Sequence, residues 1–324
     1  MKGIQVSSFG ESHVLNYVEM DEPVLGDNDL CIRLKATGIN PVETYIRSGN
    51  YAALPSLPYT PGSDGAGVIE KIGKNVQGFH IGERVYVSTL TGHGTGTYAQ
   101  KIVCDVGSVY HLPEEMSFEE GAAIGSSGFT AIQALHQKAR IQPGEIVLIH
   151  GASGGVGSLA LQLAKLCGSK VIATAGSEQG LAMLLALGAD HVLNHREPDY
   201  LQNLSFLTEG KGVDVVIEML ANRNLQNDLD VMAKEGRIVI VGNRGDIEIN
   251  PRLAMNKEIQ ITGMLLANMT PEQKGQNAHR LNAALTHGVK PIVEQIFSLA
   301  EAKLAHEMVI KQRGSLGKIV LTID

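Results

Sequence analysis

The sequence predicts a two-domain α/β protein, with a β-rich, barrel-like part in the first ~120 residues and a mid-chain parallel sheet covered by helices. Three observations predict it. The chain has 324 residues, which at about 150 residues per domain makes two domains. Its first third is a series of short strand-like runs punctuated by Gly and Pro, the pattern of an antiparallel β domain. Its middle alternates apolar strands with segments of helical periodicity, which implies βαβ units and a parallel sheet with both faces covered.

In the first part, residues 30–35 (LCIRLK), 67–72 (GVIEKI), 84–88 (RVYVS) and 98–103 (YAQKIV) read as strands between turn signals. Residues 145–150 (EIVLIH) then form a buried strand that runs into a glycine turn. Past the turn, Val156, Leu159, Ala160, Leu163 and Leu166 recur at helical spacing. The following strands are 170–175, 191–194, 213–219, 237–241 and 259–263, most of them separated by helical stretches. A long helical pattern at 272–288, a second at 299–310 and a final strand at 317–323 make a tail that is expected to return to the first domain. There is no internal repeat and no low-complexity segment.

Composition narrows the function. Hydrophobic residues make up 44% of the chain, which supports two cores and excludes a largely disordered protein. With 27 basic against 34 acidic residues the net charge is −7, and no block of like charge occurs. Bulk electrostatic binding of nucleic acid is therefore not expected, because phosphate neutralisation needs clustered Lys and Arg. Cys31, Cys104 and Cys167 are too scattered for a metal knuckle and odd in number for a disulfide framework, so they read as buried thiols of a reducing compartment. The first residues (MKGIQVSSFGESH) hold no apolar core of signal-peptide length, and no apolar window of about 18 residues occurs, so a cytoplasmic protein without a membrane span is expected.

The turn GASGGVG at 151–157 carries the chemistry. Between a buried strand and an amphipathic helix, Ser153, Gly154, Gly155, Val156 and Gly157 bring backbone N–H groups and a helix N-terminus up to a pyrophosphate. Ala152 stands where the first Gly of GxGxxG is expected; Gly154 and Gly157 fill the other two places. The same letters spell G-x-S-x-G, the nucleophile elbow of α/β-hydrolases, with Asp214 and His279, His287 or His306 as nominal partners of Ser153. That reading needs a β/α sheet before the elbow, where the chain is Gly/Pro-rich β, and the strands that follow favour a dinucleotide. About 20 residues beyond the glycines an acid would bind a ribose 2′-hydroxyl. Here stand Thr174, Ala175, Gly176 and Ser177. A neutral turn of small residues leaves room for a 2′-phosphate, so NADPH is the expected cofactor. His195, Arg196 and Arg313 are the candidates for its positive partner.

The strand-rich first domain, the mid-chain dinucleotide fold and the returning C-terminus together resemble the medium-chain dehydrogenase/reductase superfamily. The segments at 38–49 (GINPVETYIRSG), 58–64 (PYTPGSD), 150–157 (HGASGGVG), 194–197 (NHRE), 217–222 (IEMLAN) and 247–251 (IEINP) resemble ζ-crystallin-type quinone oxidoreductases over essentially the whole chain. The resemblance implies a GroES-like β-barrel-type catalytic domain from 1–122 and 267–324 and a Rossmann NADP-binding domain from 123–266, with cofactor and acceptor meeting in the cleft between them. Zinc-dependent members carry Cys where Asn40 stands and His-Glu where Ser63 and Asp64 stand; Asn and Ser are poor zinc ligands, so no metal is expected.

What the resemblance implies for the site is then specific. Asn40 and Tyr45 are the expected catalytic pair, with Asn40 also bonding the nicotinamide ribose. Tyr51, Tyr59, Leu265 and Leu266 border the acceptor. Thr130, Gly242 and Asn243 pass the ribose and nicotinamide. The expected activity is NADPH-dependent reduction of quinones without a metal, in one-electron steps, by a homodimer or homotetramer. An enone or alkenal double-bond reductase is the alternative enzyme, and a crystallin-like structural or RNA-binding role the non-enzymatic one.

Overall fold

The structure, a computed structural model, describes residues 1–89, 95–311 and 314–324. The chain forms two compact units. The first holds Met1–Ser126, residues 291–311 and Lys318–Asp324; the second holds Ser127–Lys290 and residues 314–317.

The elements of the first unit are β1 (Lys2–Gln5), β2 (Asn16–Glu19), β3 (Asp29–Gly38), α1 (Pro41–Ser48), β4 (Asp64–Ile72), β5 (Arg84–Ser88), β6 (Lys101–Asp105) and β7 (Val109–His111). α2 (Phe118–Ile132) and a π-type turn at Gln133–Ala139 lead into the second unit. There β8 (Ile146–Ile149), α3 (Gly155–Leu166), β9 (Lys170–Ala175), α4 (Glu178–Ala186), β10 (His191–Asn194), α5 (Leu204–Leu207), β11 (Val213–Glu218), α6 (Ala221–Val231), β12 (Met232–Ile240), α7 (Pro251–Lys257), β13 (Gln260–Gly263) and α8 (Pro271–Thr286) follow. β14 (Val293–Ser298), α9 (Ala302–Lys311) and β15 (Lys318–Thr322) return to the first unit.

In the first unit a curled sheet runs β14-β15-β3-β4-β5-β7, with β6 pairing the other half of β3. β3 can serve two partners because it is ten residues long, four more than its apolar run suggests, and its buried Leu30, Ile32, Leu34 and Ala36 alternate as a half-buried strand requires. Leu30, Ile32 and Leu34 pack with Ile4, Ile69, Val85, Val87, Ile102, Ile319 and Leu321 in one core. α1 starts on a capping box, in which Glu43 returns a bond to the Asn40 N–H, with Pro41 at its first position. It ends at Gly49, whose φ of 81° suits glycine. Residues 98–100, expected to open a strand, instead form a turn with a single bridge to Gly3.

In the second unit the sheet is parallel throughout, in the order β10-β9-β8-β11-β12-β13. Counted from β8, that is 3-2-1-4-5-6, the doubly wound order, whose direction reverses between β8 and β11. Leu148, Ile172, Val216 and Ile238 fill its core with Leu225 and Leu229 of α6. The division of the chain differs from the sequence expectation at three places, one of them the short stretch 314–317, which joins the second unit. Residues 123–126 stay with the first unit, where Ser126 bonds Asp64. α8 belongs to the second, burying Leu281, Ala284 and Leu285, while Gln137 Nε2 donates to the Gln273 carbonyl at 3.3 Å and Gln162 Nε2 to that of Lys290 at 2.8 Å. No helix among the described residues is long and apolar enough to cross a membrane.

Candidate active site

The switch point of the doubly wound sheet is where such folds bind ligands, in the crevice beyond the carboxyl ends of the strands. The turn at 151–157 lies there, directly after β8. Gly151 has φ +54° and Gly154 is the N-cap of α3, so Gly155, Val156 and Gly157 supply first-turn N–H groups that have no partner within the helix. Gly157 is required by close packing: a Cβ would lie 2.5 Å from Ala152 Cα and 2.8 Å from the Gly151 carbonyl oxygen. Gly242 is required in the same way, since a Cβ would meet the Met219 carbonyl at 2.3 Å. The turn is a backbone cradle into which a diphosphate fits, while Ser153 is buried and packs by the start of α4.

The turn after β9 sorts the remaining cofactor candidates. Thr174 is fully buried; its hydroxyl accepts from the Gly151 N–H at 3.0 Å and meets His195 Nδ1 at 3.3 Å. It is therefore not presented to a ligand, and its role is to lock the glycine turn to β9. Ser177 is the N-cap of α4, its hydroxyl accepting from the Gly180 N–H at 3.2 Å. Gly176 makes room for its neighbours, because a Cβ there would lie 2.7 Å from His195 Nε2 and 2.9 Å from Arg196 Nε. Desolvation, with His150 and Arg196 nearby, holds the His195 imidazole below its usual range. Arg196 thus places a guanidinium beside the small-residue turn, and among the described residues no carboxylate pairs with it. Arg313 lies outside the described residues. Asn243 braces the edge after β12: its Oδ1 accepts from the Asn222 N–H at 3.0 Å and its Nδ2 donates to the Gly245 carbonyl at 2.7 Å. Thr130 is buried on α2. Leu265 is exposed and lines a cavity of about 460 Å3 with Gln133, Lys138, Met264 and Asn268, whereas its neighbour Leu266 is buried.

Asn40 sits in a buried polar cluster of the first unit. Its Nδ2 donates to Asp64 Oδ2 at 2.9 Å and Glu43 Oε1 at 3.1 Å, and its Oδ1 accepts from Lys318 Nζ at 2.6 Å. Lys318 also donates to Asp64 Oδ2 at 2.9 Å, and the other Asp64 oxygen accepts from the Ser126 N–H and hydroxyl at 2.8 and 2.6 Å. Both Asn40 amide hydrogens are thus taken by protein groups, and with Lys318 on its oxygen one acceptor lone pair is its remaining hydrogen-bonding capacity. Around Asn40, Ser63 and Asp64, the positions where zinc-dependent members place ligands, the Lys318 ammonium supplies the positive charge. Glu43 continues the network, accepting from the Ser63 hydroxyl at 2.8 Å and the Tyr98 hydroxyl at 2.7 Å. Burial raises the Glu43 carboxyl, against the pull of these donors.

The three tyrosines separate. Tyr45 is half-buried on α1, the helix that Asn40 caps, and Tyr51 is half-buried in the turn that follows it. Tyr59 packs against the first core beside Phe9, with ring centroids 6.5 Å apart, and its hydroxyl is buried. Burial pushes its phenol up to about 12, and the residue as a whole is half-buried. The hydrolase reading falls on geometry. Asp214 accepts from the Ile146 N–H at 2.8 Å, at the start of β8 and so at the opposite end of that strand from Ser153. His306 is buried in the first unit at 3.0 Å from the Tyr98 hydroxyl, and burial pulls it down to about 3.

Lys318, Glu43 and Ser126 were not among the sequence candidates. Glu43 had a local signal, standing three residues after Asn40 ahead of a helical run. Lys318 had none, since 278 positions separate it from Asn40.

A doubly wound sheet with a glycine cradle at its switch point, in one chain with a GroES-like β unit, defines a dinucleotide-dependent oxidoreductase of the medium-chain class. The alcohol dehydrogenase GroES-like domain family matches residues 26–114, and the zinc-binding dehydrogenase family residues 155–284. The chain is 45% identical to a quinone oxidoreductase of Sus scrofa, covering 100% of this chain and 98% of that protein. Among solved structures it is similar to Escherichia coli quinone oxidoreductase complexed with NADPH (TM-score 0.89, 32% identity, 100% of both chains). It is also similar to an NAD-dependent alcohol dehydrogenase (TM-score 0.92, 29% identity, 100% of both chains). The chain belongs to the zinc-free quinone oxidoreductase family of the medium-chain dehydrogenase/reductase superfamily.

Proposed function

We propose that this protein is an NADPH:quinone oxidoreductase that works without a metal and delivers electrons to the quinone singly. The glycine cradle at the switch point is the observation that carries the cofactor, and the full-length similarity to quinone oxidoreductases supports the acceptor class. When bound, the cofactor supplies the reducing equivalents. The chain's part is binding and positioning. The N–H groups of Gly155, Val156 and Gly157 receive the pyrophosphate, and Arg196 receives the 2′-phosphate, a charge-assisted contact that Lys or Arg makes and a neutral turn permits. The Gly242–Asn243 edge, braced by Asn222, holds the nicotinamide half. In the first unit the Lys318, Asp64 and Asn40 cluster acts indirectly by fixing the start of α1 and so the place of Tyr45. A quinone's product oxygens take protons from solvent, so Tyr45 orients the acceptor and need not act as its acid.

Titration of the full chain with both nucleotides is expected to show tighter NADPH than NADH binding, with Arg196→Ala weakening NADPH about tenfold and leaving NADH unchanged. Equal affinities in the unchanged protein would overturn the NADPH assignment. Turnover of quinones with NADPH should survive a chelator and outpace turnover of alkenals; the reverse order would move the reading to double-bond reduction. Single-electron delivery appears as aerobic cytochrome c reduction that superoxide dismutase suppresses. Tyr45→Phe should lower kcat by about tenfold or less, whereas a loss within the 10²–10⁴ of general acid catalysis would make Tyr45 the proton donor.

A further inference from the structure

Directly beneath the switch point lies a set of buried titratable groups that the reaction above does not use. His150 follows β8 and precedes the glycine turn, Glu218 is the last residue of β11, and Asp228 lies in α6. All three are buried. His150 Nε2 is 2.7 Å from Asp228 Oδ1 and 3.5 Å from Glu218 Oε2, and the Tyr200 hydroxyl is 3.4 Å from His150 Nδ1. Glu218 Oε1 accepts from the Leu220 N–H and from Asn224 Nδ2, while its main-chain carbonyl accepts from the Val241 N–H at 2.8 Å. The cluster therefore ties together the ends of β8, β11 and β12, the strands whose loops form the cofactor site. The Glu218 and Asp228 side chains hydrogen-bond each other, Glu218 Oε2 and Asp228 Oδ2 meet no other hydrogen-bond donor among the described residues, and no Lys or Arg pairs with either carboxyl there. Two buried carboxyls and one imidazole without a counter-cation hold together by sharing protons. The three groups also lie within 4.8 Å of one another, as ligands of an ion do. Yet 2.7 Å from nitrogen to oxygen is a hydrogen-bond distance, shorter than the about 3.3 Å between two atoms bound tetrahedrally to one zinc.

We propose that His150, Glu218 and Asp228 are positioning residues for the dinucleotide, a proton-sharing clamp whose ionisation weakens cofactor binding. The inference rests on the dinucleotide reading above. The titratable groups facing the clamp from packed elements are Tyr200 and His195, and Tyr200 stays a phenol because burial raises it. Burial also raises both carboxyls and lowers His150, so the clamp is uncharged on the acid side and becomes negative as pH rises through neutrality. A negative charge under a turn that receives a pyrophosphate opposes it, so affinity falls as pH rises.

The test is NADPH binding, followed by nucleotide fluorescence, by the full chain from pH 6.5 to 8.5. The unchanged protein is expected to lose about fivefold to tenfold in affinity across that range, up to one pK unit of coupling. Glu218→Gln and Asp228→Asn should flatten the profile, since an amide cannot lose the shared proton. The cofactor's own 2′-phosphate titrates alike in every variant, so the difference between profiles isolates the clamp. Should either amide variant fail to fold, Tyr200→Phe keeps all three groups and removes only the phenol that fixes the imidazole. It should move the midpoint of the profile to higher pH, by about half a unit. Parallel profiles in all folded variants would overturn the proposal while leaving the cofactor assignment standing. A protein that binds NADPH at no pH would instead remove the function reading on which the proposal depends.

Discussion

Lys318→Met is expected to destabilise the protein by about 3–5 kcal/mol, the cost of breaking a buried ion pair from one side. The Lys318 side chain is 4% exposed and that of Asp64 is fully buried, with Nζ and Oδ2 2.9 Å apart. Removing the ammonium leaves the Asp64 carboxylate in the protein interior with its Ser126 and Asn40 donors and no positive charge. The Asn40 oxygen loses its donor in the same change. Combining Lys318→Met with Asp64→Asn removes both charges at once and should recover most of the loss, because what costs free energy is the unpaired charge rather than the missing bond. Urea unfolding followed by circular dichroism measures both variants. A single variant within about 1 kcal/mol of the unchanged protein would mean that the pair is solvated, as exposed pairs are.

Gly157→Ala is the second large effect. The methyl group would be forced to within 2.5 Å of Ala152 Cα and 2.9 Å of its carbonyl carbon, and neither can move without opening the turn. Overpacking of this kind costs about 1–3 kcal/mol. The backbone shift that relieves it displaces the N–H groups that we propose receive the pyrophosphate, so NADPH affinity should fall more than stability alone implies, by at least about tenfold. Gly275→Ala is the control. It lies in α8 with nothing within 4 Å of its Cβ position, and should gain about 0.5–1 kcal/mol from helix propensity with no effect on binding. Thermal melts with and without nucleotide distinguish the two. If Gly157→Ala binds NADPH as the unchanged protein does, the cofactor is not cradled by this turn.

The parts of the fold that were legible are those encoded by neighbours in the chain. The strands at 84–88, 170–175 and 191–194 have the limits read from their apolar runs, because burial on a pleated surface leaves a short-range pattern. The glycine turn was legible for the same reason, its steric demand being local to seven residues. β3 was read too short, since its last residues, Ala36 to Gly38, owe their strand conformation to β15 and β4 rather than to an apolar run of their own. Thr174 was expected at the cofactor on its place in the turn, and only its surroundings reveal a hydroxyl bonded to the Gly151 N–H and buried against His195.

By itself, then, the sequence determined the two-domain α/β class, the parallel sheet, the glycine turn between β8 and α3 and the lack of zinc-ligand residue types at 40 and 63. The tertiary structure alone decided which groups the site's polar atoms meet. Antiparallel pairing of β15 with β3 sets Val320 against Gly38 and so delivers Lys318 to Asn40 and Asp64. Parallel pairing of β8 with β11 sets Ile217 against Ile149 and so brings Glu218 level with His150. Periodicity and glycine sterics act over a few residues and are written along the chain. Hydrogen bonds and buried charges act between atoms a few ångströms apart, and strand register, which depends on the whole sheet, chooses those atoms from distant parts of the sequence.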